Sequence, residues 1–186
     1  MLNYYIDWDS RESLHNWVET LGLMCESTFT INYIYHAYYF GGIFGSLLIA
    51  RIPDLYGRKV PYAAALAAQL PFYIALVCSQ NFLLTVILSF LIGVVNAGIY
   101  NGGYINLCEY VAQSLKIHVG TVLLIFDNLT VCLVCLYFKY VTRYWLWFQL
   151  IGIFFNVVGL IGILFVPESP EYLYSFYRFD ECRAVL

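Results

Sequence analysis

The sequence predicts an all-α membrane protein built around five transmembrane helices, on three observations. Apolar residues make up 62% of the 186 and charged residues only 11%. A soluble domain carries about a quarter charged residues, so too few are present to cover a water-facing surface. The apolar residues fall in five stretches of about 20, the length a helix needs to cross the hydrocarbon of a bilayer. Most acidic residues lie near the two ends of the chain, outside those stretches. The lipid bilayer is therefore the expected partner of most of the surface. A net charge of −3 with no basic cluster argues against nucleic acid.

The elements follow in order. Residues 1–28 read as a polar segment outside the membrane. They begin acidic, without the basic start and short apolar core of a cleavable signal peptide. The first helix then serves as its own insertion signal, or another helix precedes it. Residues 29–166 read as a five-helix bundle with spans over 29–50, 60–78, 82–108, 119–138 and 145–166. The connections at 79–81, 113–118 and 139–144 are short. In the first span Gly41 and Gly45, and in the third Gly98 and Gly102, form G-x-x-x-G pairs that let helices approach closely in lipid. In the second, Pro61 suits the first turn and Pro71 predicts a kink. Trp145 and Trp147 open the fifth span, where interfacial aromatics belong. Residues 167–186 read as a tail.

Orientation follows from the excess of Lys and Arg on the cytoplasmic side. Arg51, Arg58, Lys59, Lys116, Arg178 and Arg183 fall on one side; Arg11, Lys139 and Arg143 fall on the other. The N-terminal segment is thus expected outside and the tail in the cytoplasm, in the plasma membrane or an internal one. Five spans with an external N-terminus are unusual for a complete protein, and a truncated product lacking an earlier helix is expected. Of the six cysteines, Cys132 and Cys135 sit among Val131, Leu133 and Val134 and read as small buried apolar residues rather than a metal or redox pair. Cys25 lies in the polar segment, with no evident disulfide partner.

Three motifs carry mechanism. After the first span stands Ala50-Arg51-Ile52-Pro53-Asp54-Leu55-Tyr56-Gly57-Arg58-Lys59. Here Asp54 can cap a helix and take a charged partner, Gly57 permits a tight turn, and Arg58 and Lys59 bind anions or carbonyls at the membrane edge. After the fifth span stands Pro167-Glu168-Ser169-Pro170, whose prolines stop the helix and whose Glu168 offers a carboxylate. After the third stand Glu109-Tyr110-Val111 and, seven residues beyond Glu109, Lys116. Glu109, Lys116, Arg58 and Glu168 are expected to form one cytoplasmic charge network; isolated interfacial charges are the alternative.

Inside the spans, Asp127 is the one deeply placed carboxylate, about 12 Å along its helix. Intramembrane carboxylates are costly and usually functional. Asp127 is expected to face a cavity and attract a cation or proton, or else to be a hydrogen-bonded structural acid beside Asn128. Asn96, Tyr100, Asn101, Tyr104 and Asn106 make the third span polar. They line the same cavity or bond to neighbouring helices. His36 reads as a packed aromatic rather than a proton relay. No paired-aspartate motif, H-E-x-x-H or Ser/His dyad is present, so an enzyme is not expected, nor a metal or cofactor.

The loop after the first span resembles the G-x-L-A-D-R-x-G-R-K signature of the major facilitator superfamily. Ala50, Pro53 and Leu55 depart from it, and Ser89 stands where the family commonly has an Arg early in its fourth helix. Pro167 to Pro170 resembles the motif after helix six in sugar porters and organic cation and anion transporters, and residues 178–186 resemble the short cytoplasmic helix that follows. Leu21-Gly22-Leu23-Met24-Cys25, Glu109-Tyr110-Val111 and Trp145-Leu146-Trp147-Phe148-Gln149-Leu150 are similar to segments of organic cation transporters. The resemblance implies a partial major facilitator fold, helices two to six of the N-terminal half, with Asp54 to Lys59, Glu109, Lys116 and Glu168 as a latch that releases as the halves rock. It implies transport of a small organic solute, an organic cation or anion, with a coupling proton or cation, in company with helix one and a C-terminal half. A sugar and proton symporter, or a non-transporting membrane protein derived from a transporter, are the alternatives.

Overall fold

The computed structural model describes residue 10, residues 13–49 and residues 51–185; Arg11 and Ala50 lie outside them. The five expected spans are the five long helices. They are α2 (Thr28–Ile49), α4 (Lys59–Cys78), α5 (Phe82–Glu109), α6 (Lys116–Tyr140) and α7 (Trp145–Phe165). Short helices flank them: α1 (Trp17–Thr20), α3 (Ile52–Tyr56), α8 (Pro170–Ser175) and α9 (Phe179–Val185). No strand forms among the described residues, as expected where lipid cannot satisfy open backbone groups.

Four helices, α4 to α7, are long and apolar enough to cross a membrane. The expected first span, α2, has the length, 22 residues, but falls short in apolarity because Asn32, His36 and several tyrosines interrupt it. Pro61 lies in the first turn of α4, and the helix runs unbroken through Pro71.

The tightest packing joins α2 to α5. A Cβ on Gly41 would stand 2.1 Å from the Phe90 carbonyl oxygen, and one on Gly45 2.3 Å from that of Val94. Gly93 answers from α5, where a Cβ would stand 2.1 Å from the Tyr38 carbonyl oxygen. Without a hydrophobic force between helices in lipid, such backbone-to-backbone contact supplies the dispersion energy of association. The Gly98 and Gly102 pair meets only side chains, Ile49 at 3.2 Å and Tyr62 at 3.7 Å, so this second motif is not a backbone crossing. Leu76, Leu88 and Ile92 form a core between α4 and α5, covered by Trp17, Phe72 and Tyr73.

α6 contributes no buried residue and α7 only Ile163. Cys132 and Cys135 are exposed on the lipid-length helix α6, and both are free thiols, as is the exposed Cys25.

The two ends of the bundle differ. At one, the polar N-terminal segment is strapped across the α6–α7 connection. The His15 amide donates to the Arg143 carbonyl (3.1 Å), and the Trp145 amide donates to the His15 carbonyl (3.2 Å). The His15 ring stacks on Tyr144 at 4.4 Å, and Trp17 meets Trp145 edge-on at 5.1 Å. The opposite end holds α3, α8 and α9.

Candidate functional site

At the α3–α8 end, Glu168 binds the start of α4. Its Oε1 accepts the backbone N–H groups of Arg58 (2.8 Å), Lys59 (3.0 Å) and Ser169 (3.2 Å). The first amides of a helix lack internal partners and carry a partial positive charge, so a carboxylate belongs there. Lys59 answers from the other direction: its Nζ donates to the Leu164 carbonyl (2.9 Å) near the C-terminus of α7, the negative pole of that helix. The two helix ends are thus capped reciprocally. Gly57 makes this possible. It holds φ +91°, and a Cβ there would stand 2.7 Å from Glu168 Oε2.

Arg58 gathers the remaining acids. Its Nε donates to Glu109 Oε1 (2.8 Å) and its Nη1 to Asp54 Oδ1 (2.5 Å). Burial works against the guanidinium charge, but its hydrogen bonds to Asp54 and Glu109 outweigh that and raise its pKa. Glu109 Oε2 in turn accepts the Ser169 hydroxyl. Ser169, wholly buried, also takes the Tyr172 amide (3.3 Å) and caps α8. The Tyr110 hydroxyl donates to the Pro167 carbonyl. Burial, then the carboxylates of Glu168 and Glu109, push its pKa up and keep it a donor.

The structure brings Asp54, Gly57, Arg58, Lys59, Glu109 and Glu168 together. It corrects two expectations. Lys116 stands outside the cluster, 3.9 Å from Glu171 Oε2, because α6 begins beyond the reach of Glu109. Asp54 does not cap a helix: it lies in the first turn of α3, whose N-cap position is Arg51, although it does take a charged partner, Arg58. Ser169 was missed; a serine directly before a proline that starts a helix is a cap signal.

Toward the middle of the bundle, a cavity of about 820 Å³ opens between α4, α5, α6 and α7. Its polar lining includes Tyr62, Tyr100, Asn101, Tyr104, Asn106, Tyr110, Thr130 and Asp127, and Asp127 is the single charged residue in its wall among the described residues. The Tyr100 hydroxyl donates to Asp127 Oδ1. Asn128 is not the partner of Asp127; its Nδ2 donates back to the Leu124 carbonyl (2.7 Å).

Asn96 lines a different groove, of about 520 Å³, between α2 and α5. Its Nδ2 donates to the Tyr38 hydroxyl (2.6 Å), and its Oδ1 accepts from Gln69 Nε2 (3.5 Å). Asn156 Nδ2 donates to Gln69 Oε1. This chain ties four helices together. Gln69 escaped the sequence reading, although an amide within an apolar helix is itself a signal. Tyr100 and Asn101 line both spaces. His36 lies beside Phe29, ring centroids 6.4 Å apart. No group of side chains able to hold a metal occurs among the described residues.

The description "Sugar (and other) transporter" matches residues 3–186. The chain belongs to that transporter family. Among its relatives is the human organic cation/carnitine transporter 2, 25% identical over 174 residues, covering 88% of this chain and 29% of the relative. The Drosophila melanogaster organic cation transporter protein is 24% identical over 185 residues, covering 96% and 32%. The Xenopus tropicalis solute carrier family 22 member 15 is 28% identical over 152 residues, covering 80% and 28%. The chain thus spans under a third of the length of these relatives. It is a major facilitator protein similar to organic cation transporters, an integral, multi-pass membrane protein with the partial all-helical fold of that superfamily.

Proposed function

We propose that the chain forms helices two to six of a carrier that moves a small organic solute across the membrane by alternating access. The observation that supports this best is Asp127, a lone carboxylate in the wall of a cavity between helices, steadied by the Tyr100 hydroxyl. A carboxylate there attracts a cation, either the solute itself or a coupling proton. Tyr100, Asn101 and Tyr104 supply ring faces and hydrogen bonds around it, while Asn96 positions helices. The substrate is an organic cation, in keeping with relatives named for such solutes. The breadth of the family description keeps a sugar as the second reading.

In this reading Asp54, Gly57, Arg58, Lys59, Glu109 and Glu168 form the cytoplasmic gate, with Lys116 and Glu171 at its rim. The strapped N-terminal segment faces outside. Helix one and a C-terminal half complete the solute site, since sites in this fold lie between repeats.

The test is uptake by the full-length protein of a labelled alkylammonium, a carboxylate anion and a hexose, with and without Asp127→Asn. Alkylammonium uptake is expected to fall about tenfold or more, the factor that about 1.4 kcal/mol represents. Unchanged uptake overturns the role of Asp127. Uptake of hexose alone replaces the cation reading by the sugar one, and no flux of any solute leaves a membrane protein that does not transport.

A further inference from the structure

Tyr177 is the one non-glycine among the described residues with a positive φ, 60°. The surrounding bonds explain it. Its N–H donates to the Tyr174 carbonyl (3.1 Å), and the Arg178 N–H donates to the Leu173 carbonyl (3.0 Å). This pair of bonds closes α8 through a left-handed residue, a place glycine usually takes. A tyrosine there carries backbone strain that the turn itself does not need, because glycine closes a helix without it. Little of that cost is recovered inside the protein, since the ring is 80% exposed. Phe179, 45% exposed, stands edge-on to Tyr177 and to Tyr174, ring centroids 6.0 and 5.5 Å away. Three rings therefore crowd an exposed turn between α8 and α9.

The turn is held close to the membrane. Ser169, which caps α8, is wholly buried and bonded to Glu109 at the end of α5. From Ser169 to Tyr177 the chain is mostly helix, so at 1.5 Å per residue the turn lies within about 12 Å of the ends of the spans. The headgroup layer is about 5–8 Å deep on each side of the hydrocarbon. Tyrosine is enriched in that layer, where its ring is buried and its hydroxyl stays wet. The membrane-spanning α7 ends in exposed Leu164 and Phe165, a short step along the chain from α8, so the turn continues a surface that meets lipid. Charge selects the kind of lipid. Arg178 Nε and Nη2 both donate to Glu181 Oε1 (2.8 and 2.6 Å), which neutralises the cation at the turn. Over 167–186, Glu168, Glu171, Asp180 and Glu181 outnumber Arg178 and Arg183, a balance that repels an anionic surface. We propose that the turn at 174–179 is a membrane-surface anchor, in which Tyr177 inserts its ring among the headgroups of a zwitterionic lipid layer and Phe179 braces it. The anchor holds α8, and with it Ser169 and Glu168, at the bilayer edge. It involves no solute and stands independently of the reading of Asp127.

The experiment places a fluorophore on Ser175→Cys, an exposed neighbour of the turn, in the full-length protein freed of its other cysteines. The protein is reconstituted in phosphatidylcholine vesicles, part of whose lipid carries a nitroxide just below the headgroup and quenches at close range. Quenching is expected in the parent and in Tyr177→Trp. Tyr177→Gly and Tyr177→Asn both suit the left-handed backbone. They are expected to lose most of the quenching while melting no lower than the parent in detergent. Added phosphatidylserine or high salt is expected to change nothing. Equal quenching in the parent and in Tyr177→Gly overturns the role of Tyr177. Quenching that needs phosphatidylserine and vanishes in high salt means a contact made by charge, and the proposal falls. Absence of quenching in the parent overturns it outright, leaving the rings to water or to a protein partner. If the glycine and asparagine variants both melt well below the parent, the ring serves the fold, and the proposal falls as well.

Discussion

Gly57 is the residue on which the charge cluster turns. At φ +91° and ψ 174° it occupies backbone space open essentially to glycine, where other residues cost about 1–3 kcal/mol. Its missing side chain also leaves the room that Glu168 fills. Gly57→Ala is expected to destabilise the protein by at least that amount and to release Glu168 from the α4 amides, as measured by thermal unfolding in detergent. Gly152→Ala, with nothing within 4 Å of the added carbon, serves as the silent control. Arg58 and Glu109 form a second test. Their side chains are only 16% and 8% exposed, so removing one partner strands a buried charge at a cost of about 3–5 kcal/mol. Arg58→Leu and Glu109→Leu are each expected to be costly, and the double variant to cost less than their sum. Strict additivity would mean that the pair does not act as a unit.

At the level of elements, α2 and α5 depend on each other for want of side chains. Gly45→Val would drive two methyl groups into the Val94 backbone, already 2.3 Å from a built Cβ. Overpacking of this kind costs about 1–3 kcal/mol and is expected to lower the unfolding temperature and weaken cross-linking between α2 and α5. An unchanged melt would show that the crossing is looser than the glycines imply. The contrast with Gly98 and Gly102 is instructive. Both motifs share one spacing in the sequence, but only Gly41 and Gly45 find a backbone opposite them, because Gly93 removes the side chain that would hold the helices apart. The asymmetry of α6 is a fact of the same order. Its span is more apolar than that of α4 and close to those of α5 and α7, but none of its residues is buried.

The whole molecule has two unlike ends, and their separation is testable without any solute. The bonds from Glu168 to Arg58 and Lys59 require that the loop after α2 and the tail after α7 emerge on one face. The strap of His15 on Arg143 and Trp145 places the N-terminal segment at the other. In a cysteine-free background, Leu55→Cys and Tyr174→Cys, both well exposed, are expected to react with an impermeant maleimide from the same side of sealed vesicles. Glu26→Cys is expected to react from the opposite side. Labelling of Leu55→Cys and Tyr174→Cys from opposite faces would overturn the arrangement.

Hydrocarbon thickness and the cost of unpaired backbone groups in lipid leave an apolar run of about 20 residues few alternatives to a helix. The five long helices and their ends were therefore legible in the sequence to within three residues. The motifs were legible too, since a proline stop or a glycine turn acts through its immediate neighbours. Which charges meet was decided elsewhere. Glu109, Glu168 and Lys116 are distant in sequence or separated by a turn, and only the packing of α4, α5 and α7 delivers the first two to Arg58 while leaving Lys116 with Glu171. Helix packing likewise sent Asn96 to Tyr38 and Tyr100 to Asp127, since periodicity along a helix says which residues share a face but not what that face will meet.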